Sequence, residues 1–222
     1  MRYLTVMHTG KRFSPLEFAR WTFHDTYWLL LIAAVPTVLY VLGARFLTVP
    51  WQPVAIVGTA VAFIVGFKNN ASYGRMWEAR QIYGGIINDS RSFGYTLRDA
   101  LGKQQAALTQ SLFYRHFAWL TALRYQLREP RSWENMASLR NVQYRQNRYE
   151  IPERTGKLEA ELATYLRPDE LVYLLSKKNR ATQLIARQSE ALAALKNDGL
   201  INDFQWTQLQ QGLMKFTDQQ GK

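Results

Sequence analysis

The 222-residue chain contains no cysteine, which excludes a disulfide framework, a cysteine-ligated zinc and an iron–sulfur cluster together. Charge is nearly missing from one long stretch. The 42 residues from Thr26 to Phe67 carry a single charged side chain, Arg45, where an average soluble sequence would place roughly ten. Histidine is scarce: His8, His24 and His116 lie far apart, and none has a metal-ligand spacing such as His-Glu-x-x-His. Each reads as a packing or surface residue rather than a ligand. A phosphate-binding glycine loop, a nucleophile elbow and a Ser/Lys pair are also missing. Glu159 with Glu161, and Asp169 with Glu170, are close carboxylate pairs, but on helices such pairs decorate a solvated face or an N-terminal turn. The residues make no case for an enzyme, a metal or a cofactor.

The uncharged stretch resolves into two runs. Tyr27 to Gly43 is 17 residues without a charge, the lower limit for a spanning helix, and flanking residues extend it. Pro36 inside it is tolerated in a membrane helix when neighbouring groups take up the freed carbonyl. Phe46 to Phe67 is also uncharged, with Pro50 and Pro53 at its start, so the second helix is expected to begin near residue 51. Ala55, Gly58, Thr59, Ala60, Ala62 and Gly66 make this helix slim, as suits helices packed closely or around an axis. The two spans are expected at about 24–43 and 51–67. A buried hairpin in a soluble bundle is the competing reading. A cleaved signal peptide fits worse, because about 26 residues precede the apolar run and no small-residue cleavage site ends it.

The charge that is present is segregated. Of 28 Lys+Arg and 17 Asp+Glu, net +11, residues 68–222 hold 23 and 15. Four basic residues precede the first span, Arg45 lies between the spans, and Lys68, Arg75 and Arg80 follow the second. Both ends of the hairpin are therefore expected to face the cytoplasm. A mean hydropathy of −0.27 looks soluble only because the polar remainder dilutes the apolar runs. A nucleic-acid binder would use the basic surplus and the Arg/Tyr-rich segment at 139–149, but would leave the hairpin without a purpose.

Beyond Phe67 the pattern turns amphipathic. Tyr73, Trp77, Ile82, Tyr83, Ile86, Ile87 and Phe93 recur at spacings near three and four, so the second span is expected to continue outward as a long helix. Gly102 marks a break, Ala106 to Leu127 supplies another helix, and Pro130 closes it. Residues 131–155 have no consistent period and read as irregular. Short helices are expected at 156–166, 168–178, 180–197 and 203–217, the last two behind Asn179 and Asn202. The whole, 1–222, reads as a single all-α domain: a membrane hairpin continuing into a helical bundle. Within the second span Thr59, Phe63 and Phe67 are separated by four residues each and form one stripe.

The stretch Gly66-Phe67-Lys68-Asn69-Asn70-Ala71-Ser72-Tyr73-Gly74-Arg75-Met76-Trp77-Glu78-Ala79-Arg80, followed by Gly84 and Asn88-Asp89-Ser90-Arg91, closely resembles the bacterial branch of the bestrophin channel family. Arg115 to Arg128 and Ser14 to Ala33 look like its following helix and its first membrane segment, so the likeness runs from about residue 8 to 215. The resemblance implies a homopentamer around one axial pore that conducts chloride or other small anions; some bacterial relatives prefer monovalent cations. It assigns the pore neck to Thr59, Phe63 and Phe67, where Thr59 departs from an otherwise apolar neck. A cytosolic aperture is implied on a helix resembling Asn179 to Leu195, with Leu184 and Ile185 as candidates. The calcium clasp of animal bestrophins has no counterpart here. Two later membrane helices of the family are expected to be missing beyond the point matching Asp218. A membrane-tethered scaffold, whose basic helices engage anionic lipid or an acidic partner, is the competing function.

Overall fold

The structure, a computed structural model, describes residues 15–48, 50–131 and 152–222. Among these, every regular element is helical. In chain order they are α1 (Pro15–Val41), α2 (Trp51–Leu101), α3 (Ala106–Arg128), α4 (Pro152–Thr155), α5 (Leu158–Leu162), α6 (Pro168–Leu175), α7 (Arg180–Asn197) and α8 (Asp203–Gly221), with 3₁₀ turns at Arg45–Leu47 and Lys103–Gln105. The chain divides into two units at Arg75 and Met76.

In the first unit α1 contains Pro36, which has no N–H to give the carbonyl one turn back. Beside it, Thr37 Oγ1 donates to the Ala33 carbonyl at 2.7 Å. Two helices, α1 over Thr22–Val41 and α2, are long and apolar enough to cross a membrane, and none of the side chains in their apolar windows is buried. Val35, Val38, Ile56, Val57 and Ile64 are all at least half exposed. A soluble core helix would bury such a face, since each Val, Ile or Leu side chain removed from water is worth about 1.5–3 kcal/mol. α1 is longer than the expected 24–43 span because its polar first turns are helical without being apolar, and it stops at Val41. The second helix begins at Trp51, as its prolines require.

The second unit has a conventional core. The far half of α2 contributes Ile86, Phe93, Leu97 and Leu101, spaced seven, four and four apart, which is one face of a helix. Gly102, at φ 67°, then turns the chain in a region that a side chain would disfavour. α3 adds Leu112, Ala118, Trp119, Ala122 and Leu123, and α7 buries Ala181, Leu184, Gln188, Leu192 and Leu195. From α8 come Leu209, Leu213 and Phe216. Two caps set helix starts: the Asn179 side chain accepts from the Thr182 N–H at 3.3 Å, and Asn202 with Gln205 form a reciprocal capping box at 2.8 and 2.9 Å. The expected helices at 156–166 and 168–178 contract to α5 and α6. Pro152–Thr155 is helical where an irregular segment was expected, and residues 132–151 of that segment lie outside the described residues.

Candidate pore-lining stripe and polar core

Thr59, Phe63 and Phe67 all lie on α2 with exposed side chains. The rings of Phe63 and Phe67 stack with centroids 6.3 Å apart and planes at 24°, the consequence of four-residue spacing on one helix. One turn earlier, Thr59 Oγ1 donates to the Ala55 carbonyl at 2.9 Å. A β-carbon added at Gly58 or Gly66 would meet nothing within 4 Å, so these glycines leave room beside the stripe for a close neighbour. The stripe is two aromatic plates below one hydroxyl whose proton is already used.

Leu184 and Ile185 sit in the middle of α7. Leu184 is 1% exposed and belongs to the core. Ile185 is only partly buried. Both border a small cavity with Arg115, His116, Gln188 and Phe216.

His116 is a buried titratable group of the unit. Its ring packs 4.9 Å from Phe216 and 5.7 Å from Phe93, and its Nε2 is 3.0 Å from Ser90 Oγ. Burial pushes its pKa down to about 4, because the apolar ring cluster disfavours the imidazolium. It is a packing residue, as its isolation in the sequence suggested. His24 accepts from Trp28 Nε1 at 3.2 Å, and His8 lies outside the described residues. Among the described residues no group of His, Asp and Glu is arranged to hold a metal.

The carboxylate pairs resolve unevenly. Asp169 is exposed, but Glu170 is buried and accepts from Arg115 Nε at 2.6 Å and Nη2 at 3.3 Å, so it joins α6 to α3 rather than decorating a solvated turn. Glu161 accepts from Tyr125 Oη at 2.7 Å and pairs with Arg124, which also meets Glu153 at 3.0 Å. Separations of 36 and 55 residues hide such pairs from any local pattern. At the end of α8, Gln219 Nε2 donates to Asp89 at 2.5 Å, and Gln220 bridges Trp119 Nε1 and Thr182 Oγ1 at 3.0 and 2.7 Å.

Two apolar helical segments of membrane-spanning length, none of whose side chains is buried, followed by a helical unit with its own core, define the class: an all-α integral membrane protein. Residues 22–222 match the family model described as bacterial/fungal bestrophin protein, and the chain belongs to that family. It is 28% identical over 167 residues to the voltage-dependent anion channel-forming protein YneE of Escherichia coli, covering 73% of this chain and 43% of the relative. A voltage-dependent anion channel-forming protein of Ralstonia nicotianae is 52% identical over 40 residues, 18% of this chain and 13% of that one. Among solved structures, a bacterial bestrophin homologue from Klebsiella pneumoniae aligns with TM-score 0.68 at 19% identity, covering 86% of this chain and 62% of that one. A variant of the same homologue aligns at 0.72 and 18%, covering 90% and 65%. The chain thus spans under half the length of the curated relatives named here and under two thirds of the solved ones.

Proposed function

We propose that the chain is a subunit of a homopentameric channel of the inner membrane that passes chloride or other small anions passively, without catalysis. The observation that carries this reading is the exposed stripe Thr59, Phe63, Phe67 on the second apolar helix. Repeated around an axis, it would present two levels of phenyl rings whose positive edges suit an anion and whose apolar faces close the path by dewetting. The family, and the printed names of the relatives in E. coli and R. nicotianae, support an anion as the permeant class.

In this reading the Lys and Arg residues flanking the two spans keep the N-terminus and residues 68–222 on the cytoplasmic side. For the cytosolic aperture, the partial exposure of Ile185 supports it over Leu184, which packs in the core. The test is flux through liposomes: Phe63→Ala combined with Phe67→Ala widens the neck and raises chloride flux. Unchanged flux in that double variant would remove these residues from the pore.

A further inference from the structure

Between Pro53 and Phe67 the second span has one side chain able to form a hydrogen bond, Thr59. Every other position is Pro, Val, Ala, Ile, Gly or Phe. Its hydroxyl proton is directed at the Ala55 carbonyl, 2.9 Å away within the same helix. A hydroxyl holds one donor and two acceptor lone pairs, so what Thr59 has left to offer outward is acceptor capacity alone. The same arrangement holds at Thr37 in α1, whose hydroxyl donates to Ala33. In an apolar helix, giving the proton to the carbonyl one turn back satisfies the donor where no other acceptor is near.

The consequence differs for water and for an ion. Water can donate to the free lone pairs of Oγ1 without disturbing the helix. An anion is solvated by donors, and Thr59 can donate to one only by breaking its bond to Ala55. Below it the stacked rings of Phe63 and Phe67 offer no hydrogen bond at all. We propose that Thr59 is the wetting residue of the neck: water occupies its free lone pairs at the end of the phenylalanine stripe, an ion of either sign meets that water rather than the hydroxyl itself, and Thr59 thereby sets how fast ions enter without choosing their sign. The inference rests on the neck reading of the same stripe. It makes Thr59 a rate-setting position and leaves sign selection to other levels of the pore.

The experiment is single-channel recording of the assembled protein in planar bilayers, with Thr59→Val, Thr59→Ser and the Phe63→Ala/Phe67→Ala double variant compared with the parent under a salt gradient. Valine keeps the shape and removes the lone pairs, whereas serine keeps the hydroxyl. Conductance should fall roughly fivefold in Thr59→Val, the rate equivalent of one hydrogen bond. It should stay close to the parent in Thr59→Ser, and the reversal potential should not move in either. Unchanged conductance in Thr59→Val overturns the proposal, as does an equal fall in Thr59→Ser or a shifted reversal potential in Thr59→Val. The double variant separates the two levels of inference. If it alters conductance while Thr59→Val does not, the wetting role fails and the neck stands. If neither does, the neck itself fails and the wetting role falls with it.

Discussion

Glu170 receives both Nε and Nη2 of Arg115, at 2.6 and 3.3 Å, with side-chain exposures of only 9% and 15%. This two-point pair ties the short α6 to the middle of α3, in a region where α6 buries little else beyond Leu174. Removing one partner strands the other charge away from water. Glu170→Ala should therefore cost about 3–5 kcal/mol, while Glu170→Leu with Arg115→Met should cost much less, because no charge is left unpaired. Thermal unfolding of the detergent-solubilised protein measures both. Equal losses in the two variants would mean that the pair contributes by shape alone.

His116 gives stability a pH dependence with a definite sign. Its folded pKa, about 4, lies below the ordinary 6.5, so the unfolded chain takes up the proton first. The contribution of the neutral ring is complete above pH 6.5, falls as the pH drops from there, and is gone by about pH 4. The loss should be about 3 kcal/mol over that window. His116→Phe should flatten the curve between pH 6.5 and 4. A variant with the slope of the parent would place the titration elsewhere.

Gly85 lies close to the tip of a side chain on α8. A β-carbon there would lie 2.8 Å from Gln219 Nε2, the group that donates to Asp89. Gly85→Ala should gain helix propensity of about 1 kcal/mol and lose a hydrogen bond to a carboxylate worth about 1.5–3 kcal/mol, for a net destabilisation. In a Gln219→Ala background the same substitution should stabilise by about 1 kcal/mol, since nothing remains to be displaced. Denaturation midpoints of the four proteins in the cycle would show this reversal of sign; the same sign in both backgrounds would refute the contact.

Phe216 is fully buried, with Trp119 and His116 rings each 4.9 Å away. Phe216→Ala should cost about 3–5 kcal/mol. Phe204, at 87% exposure, should tolerate the same change within about 0.5 kcal/mol. Unfolding midpoints of the two variants check the contrast, and similar values for both would contradict the placement of α8.

Much of this was legible in the sequence because it is local. The start of α2 follows from Pro50 and Pro53, the starts of α7 and α8 from Asn179 and Asn202, and the stripe of Thr59, Phe63 and Phe67 from spacing alone. What escaped depends on partners far along the chain. Glu170 reads as an acidic residue in a helix's first turn, which it is, but the arginine that buries it is 55 positions away. Leu184 and Ile185 differ by one position, about 100° around a helix, and only the packing of α7 decides which of them goes inside. The early start of α1 escaped because an apolar run marks the lipid-crossing part of a helix and not its polar overhang.

Residues 1–222 contain no cysteine, so single cysteines placed along 53–67 can be probed with a charged thiol reagent during flux measurement, with the cysteine-less parent sequence as the control. Modification of Thr59→Cys, Phe63→Cys and Phe67→Cys should block flux, and modification of Val61→Cys and Val65→Cys, on the opposite side of α2, should not. Block at 61 and 65 with none at 59, 63 and 67 would contradict the pore stripe outright.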